Sequence, residues 1–522
     1  MSGNRLIRIE AGRFEAFVND EGLGRLGGYV LIECKEVRIL AFVSSCSEEP
    51  DGFLLGMLPL GELKEDGRFV RGVRHYPLPG AQVREVDDAF LESVFSAFRE
   101  YGFALGRVSN RPSQTAYLHP NALFGRSFTI LGQSGAGKSW TVASVLQQAV
   151  EAMPRAHVIL LDLHGEYCLR DRQGKIRSAF KEGSYRFIDA RHLEMPYWLM
   201  TYAELVDLLV DHGDSAASVQ MAFLRETLYT LKKKEAERLE MGFVSIDAPI
   251  YFSLEALYEA FKEANEQRTD FGKTKGPLFG QFDEFLIKLQ SRLNDVRYDF
   301  LLKPRRRNHS GALATLLRDF VGLGEPKCRI TVIDLSTVPF DVRPAVSAQI
   351  GRLAFEFNYW NPRRRDFPLL LVCEEAHAYI PREGGSRYEG TRRSMERIAK
   401  EGRKYGVGLA VVSQRPHEVS ETVLSQCGTF ICLRLANPDD QAYIRGMVPD
   451  AESNLMDVLS VLGRGEAMIM GEAVPLPTRV QIRPPDPTPH SQDVDYHAAW
   501  SEGPEDLDVE AIADRWRRQG RR

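Results

Sequence analysis

The sequence predicts an α/β fold: a parallel sheet flanked by helices, with an inserted helical bundle and a small β-barrel in front. Three observations carry this. An apolar run, Phe128-Thr129-Ile130-Leu131, leads straight into a glycine-rich turn, GQSGAGKSW at 132–140, and then into a helical segment. Further short apolar runs ending in polar or acidic residues recur at 157–162, 330–335, 369–373 and 408–412. Uninterrupted runs of this length are the pattern of strands buried on both faces. Between the second and third strands lie about 160 residues, far too many for a loop.

Composition sets the outer bounds. At 522 residues, with 43% hydrophobic and 27% charged, the chain has the make-up of a globular protein of two to four domains. Seven cysteines, at 34, 46, 168, 328, 373, 427 and 432, form no CxxC pair, which excludes a zinc-ribbon pattern and points to a reduced, cytoplasmic protein. The opening residues MSGNRLIRIEAGRFEAF contain no apolar core of a signal peptide, and no run approaches the length of a membrane span. Net charge is −5, so any nucleic-acid contact must rest on local clusters of basic residues.

Residues 1–108 read as short strands. Arg13–Val18 and Gly28–Glu33 are separated by glycine turns, and Val37, Ile39, Ala41 and Val43 recur at every second position. This is a small β domain.

Residues 109–200 hold the first part of the core. Gly132, Gly137, Lys138 and Ser139 fit G-x-x-x-x-G-K-[ST]. Glycines let consecutive backbone amides converge on an anion, and the following helix adds its N-terminal dipole. Gly132, Gln133, Ser134, Gly135, Ala136, Gly137, Lys138, Ser139 and Trp140 are therefore expected to hold the phosphates of ATP. Lys138 would reach the β and γ phosphates, and the Ser139 hydroxyl would ligate Mg²⁺. The next strand, His157–Asp162, runs into Leu163-His164-Gly165-Glu166-Tyr167.

Residues 201–325 read as an inserted helical bundle. Leu254, Leu257 and Phe261 follow a candidate N-cap, Ser253, at helical spacing. Phe282, Phe285, Leu286, Leu289 and Leu293 make a second stripe. A third, from Met221 to Leu231, precedes Lys232-Lys233-Lys234, where a charged stretch begins.

Residues 326–483 resume the core. Leu369–Cys373 ends in Glu374-Glu375, a Walker B pattern in which the first carboxylate serves the Mg²⁺ shell and the second polarises a water. The usual aspartate at the first position is replaced by Glu374. Gln414, at the end of the strand Gly408–Val412, is placed to sense the γ-phosphate; an ordinary turn closed by Pro416 is its plainer reading. Arg403 is the candidate arginine finger, with a surface arginine on a charged helix as the alternative. Arg382 and Arg387, in the loop after Walker B, are candidate DNA contacts or ordinary solvated surface.

Residues 484–522 open on the stiff stretch Pro484–Pro489 and end in a helical pattern, Val509, Ile512, Ala513, Trp516, with a basic tail through Arg522. A helix clasping a neighbouring subunit and a frayed or DNA-attracted tail are both open readings.

In this order, GQSGAGKS, LLDLHGEY, LLLVCEEAH, EGRKYG, VVSQRP and LGRGEAMIMGEAVPLPTRV resemble the HerA family, within the HerA–FtsK group of DNA-pumping ATPases. The resemblance covers most of residues 110–485. It implies a RecA-like core, a HAS-barrel at the N-terminus, and a homohexameric ring around double-stranded DNA. It also implies Asp162 as the acidic residue of the HGEY strand, placed with Ser139 and Glu374 at the metal. Glu375 becomes the catalytic glutamate, Gln414 the sensor and Arg403 a finger acting on a neighbour. Arg126 matches another arginine near the interface, or merely flanks a strand. Partners implied for the barrel are a NurA-like nuclease or a sirtuin-type or nuclease defence effector, with no membrane. Two functions follow: a translocating motor, in DNA end processing or anti-phage defence, or a ring scaffold that gates a docked effector.

Overall fold

The computed structural model describes residues 3–517 except 24, 35–36, 172, 190–191, 270–273, 341, 384–385, 449–453, 492–493 and 505, and except the side chains of 386–388 and 454. Its first seven strands are β1 (Arg5–Glu10), β2 (Arg13–Val18), β3 (Tyr29–Cys34), β4 (Val37–Glu49), β5 (Gly52–Leu63), β6 (Phe69–Arg71) and β7 (Gln82–Glu85). They pair in the order β2-β1-β7-β3-β4-β5, and β5 returns to β2 to close a six-stranded barrel. Closure requires bent strands, and the register of β4 against β5 shifts twice, at Leu40/Ala41 and Val43/Ser45. The expected alternation holds: Ile39, Ala41 and Val43 point inward with Phe14, Ile32 and Val83. The intervening Leu40 and Phe42 are buried as well, because that face packs with Tyr29 and Leu58 on the main core.

One carboxylate organises the barrel's long connection. Buried Glu62 accepts from the amides of Arg74 (2.5 Å) and His75 (2.7 Å) and from Lys64 Nζ (2.8 Å). Burial opposes its charge, but Lys64 and the two amides outweigh that and hold its pKa down to about 2. A depressed carboxylate stabilises the fold above its unfolded pKa, and that contribution fades as pH falls from about 4.5 toward 2. Glu62→Gln is thus expected to lower the barrel's unfolding temperature at pH 7. The deficit should shrink at pH 3, as checked by calorimetry at the two pH values.

The next strands are β8 (Ala104–Val108), β9 (Arg111–Tyr117), β10 (Ser127–Leu131), β11 (Val158–Asp162), the hairpin β12 (Cys168–Arg170) and β13 (Ile176–Ser178), and β14 (Tyr185–Ile188). After a short hairpin, β15 (Arg268–Thr269) and β16 (Thr274–Lys275), come β17 (Ile330–Asp334), β18 (Leu369–Cys373), β19 (Val407–Ser413), β20 (Cys427–Cys432), β21 (Glu466–Gly471) and β22 (Thr478–Ile482). Eleven of them form one sheet, β14-β17-β11-β18-β19-β10-β20-β21-β22-β8-β9. It is parallel from β14 to β20 and antiparallel beyond. β8 therefore belongs to this sheet, and the barrel ends before residue 108, at β7. β14, not anticipated from the sequence, is an edge strand whose four residues are only partly buried.

Register decides where the chemistry lies. Leu131 pairs with Ser413, Val411 with Cys373, Cys373 with Leu161, and Asp162 with Asp334. The carboxyl ends of β10, β19, β18 and β11 thus finish along one edge, where ligands of open α/β sheets bind.

The insertion is helical. Ser253 Oγ caps Leu254–Glu266 by accepting from Ala256 N, and Leu257 and Phe261 are buried. Phe261 stacks on Phe285 of the helix Asp283–Asn294, with ring centroids 3.9 Å apart. Lys232 departs from the expected charged surface. It is 1% exposed, donates to the carbonyls of Ile246 and Ala248, and burial lowers its pKa to about 8. It pins the loop after the helix Ala217–Arg238.

The segment after Pro484 is more than a spacer. Asp486 N donates to Gln147 Oε1, Gln147 Nε2 donates to Pro487 O, and His490 N donates to Glu166 O. It runs across the helix that follows the glycine-rich turn. The helices Tyr496–Glu502 and Val509–Arg517 bury no residue, and residues 518–522, with the rest of the basic tail, lie outside the described residues. No helix among the described residues is long and apolar enough to cross a membrane.

Candidate active site

The glycine-rich turn leaves β10 and enters the helix Lys138–Ala152 through Gly137, whose φ of 105° favours glycine. Gly132 is fixed by packing, since a Cβ there would stand 2.9 Å from Leu433 Cβ. Gln133 anchors the turn by donating from its amide to Arg434 O and accepting from Ala436 N on its side chain. Thr141 N donates the first helical bond to Gly137 O, which leaves the first-turn amides of Lys138, Ser139 and Trp140 without helical bonds. Ser134 and Gly135 are exposed, Ala136 is buried, and Ser139 is partly buried in the first turn.

Lys138 and Glu375 are both buried, with Nζ 4.0 Å from Oε1. Burial lowers the Lys138 pKa, against the pull of Glu375, Glu374 and Glu166. Glu375 has a left-handed backbone, φ 46° and ψ 47°, which is costly for a residue with a side chain and typical of functional positions. Its Oε2 lies 3.2 Å from His377 Nδ1 but lacks hydrogen-bond geometry, so among the described residues it has no bonded partner. His377 Nδ1 also meets Ser413 Oγ at 3.2 Å. Burial lowers the His377 pKa despite Glu375 nearby, which keeps the ring neutral at pH 7.

Glu374 is held from two sides. Tyr167 OH donates to its Oε1 (2.9 Å) and Tyr379 OH to its main-chain carbonyl (2.9 Å). Its Oε2 is buried and has no hydrogen-bond partner among the described residues. Burial, then the charges of Asp162 and Glu166, push its pKa well up, while Tyr167 opposes the shift. An orphaned carboxylate oxygen close to a lysine and a helix N-terminus fits a divalent cation brought in with a triphosphate. Among the described residues no three His, Cys, Asp or Glu side chains form a metal cage. Mg²⁺ would thus be held by the Ser139 hydroxyl, Glu374, water and the phosphates, which is its usual mode beside a nucleotide.

Asp162 is fully buried, and both of its oxygens accept hydrogen bonds. Its two oxygens accept from the amides of Gly165 (2.7 Å), Glu166 (3.0 Å) and Tyr167 (2.9 Å). In this arrangement it shapes the turn that delivers Tyr167 to Glu374. Asp162→Ala would strand three amides and is expected to cost about 2–4 kcal/mol of stability. A thermal melt checks this, and addition of Mg²⁺ should not restore the loss.

The other candidates sit as follows. Gln414 directly follows β19 at the site edge and is partly buried. Arg403 is exposed near the end of the helix Ser386–Tyr405 and makes no ion pair among the described residues. Arg126 precedes β10 and pairs with Glu472 at 2.6 Å. Arg382 lies over the Tyr443 ring, 5.0 Å from its centroid, and 3.8 Å from Glu421. Arg387 is in the first turn of its helix, and its side chain lies outside the described residues. Tyr167, His377 and Ser413 were not singled out from the sequence, although HGEY, EEAH and VVSQ contain them.

Residues 103–350 match the family description "Helicase HerA, central domain", and 369–489 match "Helicase HerA-like C-terminal". The DNA double-strand break repair helicase HerA of Pyrococcus furiosus is 30% identical over 435 residues, 77% of this chain and 73% of that protein. The chain belongs to the HerA helicase family. This HerA family member is thus a P-loop ATPase, with its Walker motifs on the edge just described. It is also 27% identical over 509 residues to a probable DNA double-strand break repair helicase HerA of Methanocaldococcus jannaschii, covering 91% of this chain and 94% of that protein. Among solved structures it is similar to VirB4 of Thermoanaerobacter pseudethanolicus, with 15% identity and a TM-score of 0.46 over 76% of this chain and 97% of that one.

Proposed function

We propose that this protein is an ATP-driven motor on double-stranded DNA, working as a homohexameric ring. The observation that carries the chemistry is the buried Lys138–Glu375 pair, set where a γ-phosphate and an attacking water would meet. Lys138, Ser139 and the turn's amides bind and orient the triphosphate. Mg²⁺ neutralises phosphate charge when bound. Glu375 accepts the proton of the attacking water, and its strained backbone and unbonded Oε2 leave it free to do so. His377 and Ser413 fix its surroundings, and Gln414 reads the γ-phosphate at the neighbouring strand end.

DNA as the track is supported by the relatives, which are named as double-strand break repair helicases. Arg382, with or without Arg387, supplies phosphate contacts in this reading. In this reading the barrel is the docking surface for a nuclease or defence effector. The test is the steady-state ATPase rate with and without linear duplex DNA, with Glu375→Gln as the blank. Stimulation by DNA that disappears at high salt is expected. A rate indifferent to DNA would overturn the motor in favour of a ring scaffold that gates a docked effector.

A further inference from the structure

Arg415 is a cation at the phosphate edge that the hydrolysis chemistry leaves unused. Its amide donates to Ser413 Oγ (3.0 Å), and Ser413 is tied to both halves of the site. Gly132 N donates to the Ser413 carbonyl (3.3 Å), while Ser413 Oγ meets His377 Nδ1 (3.2 Å), which lies 3.2 Å from Glu375 Oε2. The Arg415 guanidinium donates to Glu418 Oε1 at 2.8 Å and is more than half exposed. The Glu418 bond and charge, then the charges of Asp440 and Glu375, push its pKa up. An exposed pair three residues apart contributes little and exchanges readily. A guanidinium on a phosphate forms charge-assisted bonds roughly twice as strong as neutral ones. A γ-phosphate beside Lys138 and Glu375 would therefore compete with Glu418 for Arg415.

Glu418 is also tied to the candidate DNA contact. Arg382 N donates to Glu418 O (2.7 Å), Ser420 N donates to Ile380 O (3.0 Å), and Pro381 bridges Val419 between them. Arg382 lies over the Tyr443 ring, and the Tyr443 hydroxyl donates to Val419 O (3.0 Å). Residues 418–420 and 380–382 thus form one short antiparallel ladder, with the platform under Arg382 fastened to it. A shift at Glu418 would carry Arg382 along.

We infer that Arg415 exchanges Glu418 for the γ-phosphate, and that Glu418, losing its partner, resets the ladder that presents Arg382 to DNA. With a diphosphate Arg415 stays on Glu418. A ligand shifts such an equilibrium only by its differential contact with the two states, and the γ-phosphate is what ADP lacks. The Arg415 exchange rests on the reading of residues 132–140 as a triphosphate-binding turn, and the Arg382 link rests on DNA as the track.

Calorimetric titration of the full chain with ADP and the non-hydrolysable AMP-PNP tests the exchange. Arg415→Ala should lose about tenfold or more for AMP-PNP while keeping ADP affinity. Glu418→Gln, which removes the competitor, should bind AMP-PNP more tightly and ADP as before. Fluorescence anisotropy of a labelled duplex tests the link. Wild-type affinity for the duplex should differ by about fivefold or more between the two nucleotides, and both variants should erase that difference. Unchanged AMP-PNP affinity in Arg415→Ala, or equal losses for AMP-PNP and ADP, would overturn the exchange. A nucleotide-dependent duplex affinity that survives in both variants would overturn the link to Arg382. Wild-type protein that binds neither nucleotide would overturn the phosphate-turn reading beneath the exchange, and wild-type protein that binds no duplex would overturn the track reading alone.

Discussion

Glu375→Gln should lower the ATP hydrolysis rate by about 10²–10⁴-fold while leaving ADP affinity within a few-fold of wild type. The amide keeps the size of the side chain but cannot take a proton from water. Glu375 is the right carboxylate for this loss because the two neighbouring glutamates are held differently. Glu374 is gripped by the Tyr167 hydroxyl on one oxygen and by Tyr379 through its main chain. Glu375 lies against Lys138 and, among the described residues, has no hydrogen bond on Oε2. Removing charge from a crowded acidic site should also tighten nucleotide binding slightly, since Glu166, Glu374 and Glu375 all act on one lysine. Single-turnover hydrolysis and an ADP titration measure the two effects separately. A variant that loses binding and hydrolysis together would mean that Glu375 serves the fold of the turn and not the chemistry.

Arg403→Ala should cost about 10³–10⁵-fold in rate, and the loss should be rescued in trans. The fold supplies the reason. Arg403 precedes β19, whereas the phosphate site lies at that strand's far end, beyond Ser413. A strand of seven residues is about 23 Å long, well past the reach of one side chain. Arg403 is thus remote from its own nucleotide and exposed. Earlier on the same helix, Arg397 and Lys400 are committed to Glu356 and Glu396, whereas Arg403 and Lys404 in its last turn make no ion pair among the described residues. Arg126, just before the adjacent β10, lies on the same edge. Mixing Arg403→Ala with Lys138→Ala protein should restore part of the activity, because some interfaces then pair an intact lysine with an intact arginine. Equal inactivity of the mixture and its components would rule out a composite site.

Five of the seven parallel strands, β10, β11, β17, β18 and β19, were legible because each is a closed apolar run, buried on both faces; β20 and β14 were not. The Ser253 cap and the aromatic stripes were legible because caps and helical spacing act within a few residues. β14 was missed because its four partly buried residues carry no such pattern. Lys232 reads as one more charge in a basic run, and only the carbonyls of Ile246 and Ala248, folded over it, bury the ammonium. β8 lies directly after the barrel in sequence, yet it pairs with β22 from the far end of the chain.

The sequence by itself determined the phosphate-binding turn, the paired glutamates and the strands that present them, since these follow from glycine conformations and local burial patterns. Only the tertiary structure decided that Tyr167 holds Glu374 and that Arg403 lies at the far end of its strand from its own site. Those outcomes depend on which distant strands lie side by side and in what register. That choice is made by the packing of the whole sheet, and no short stretch of residues encodes it.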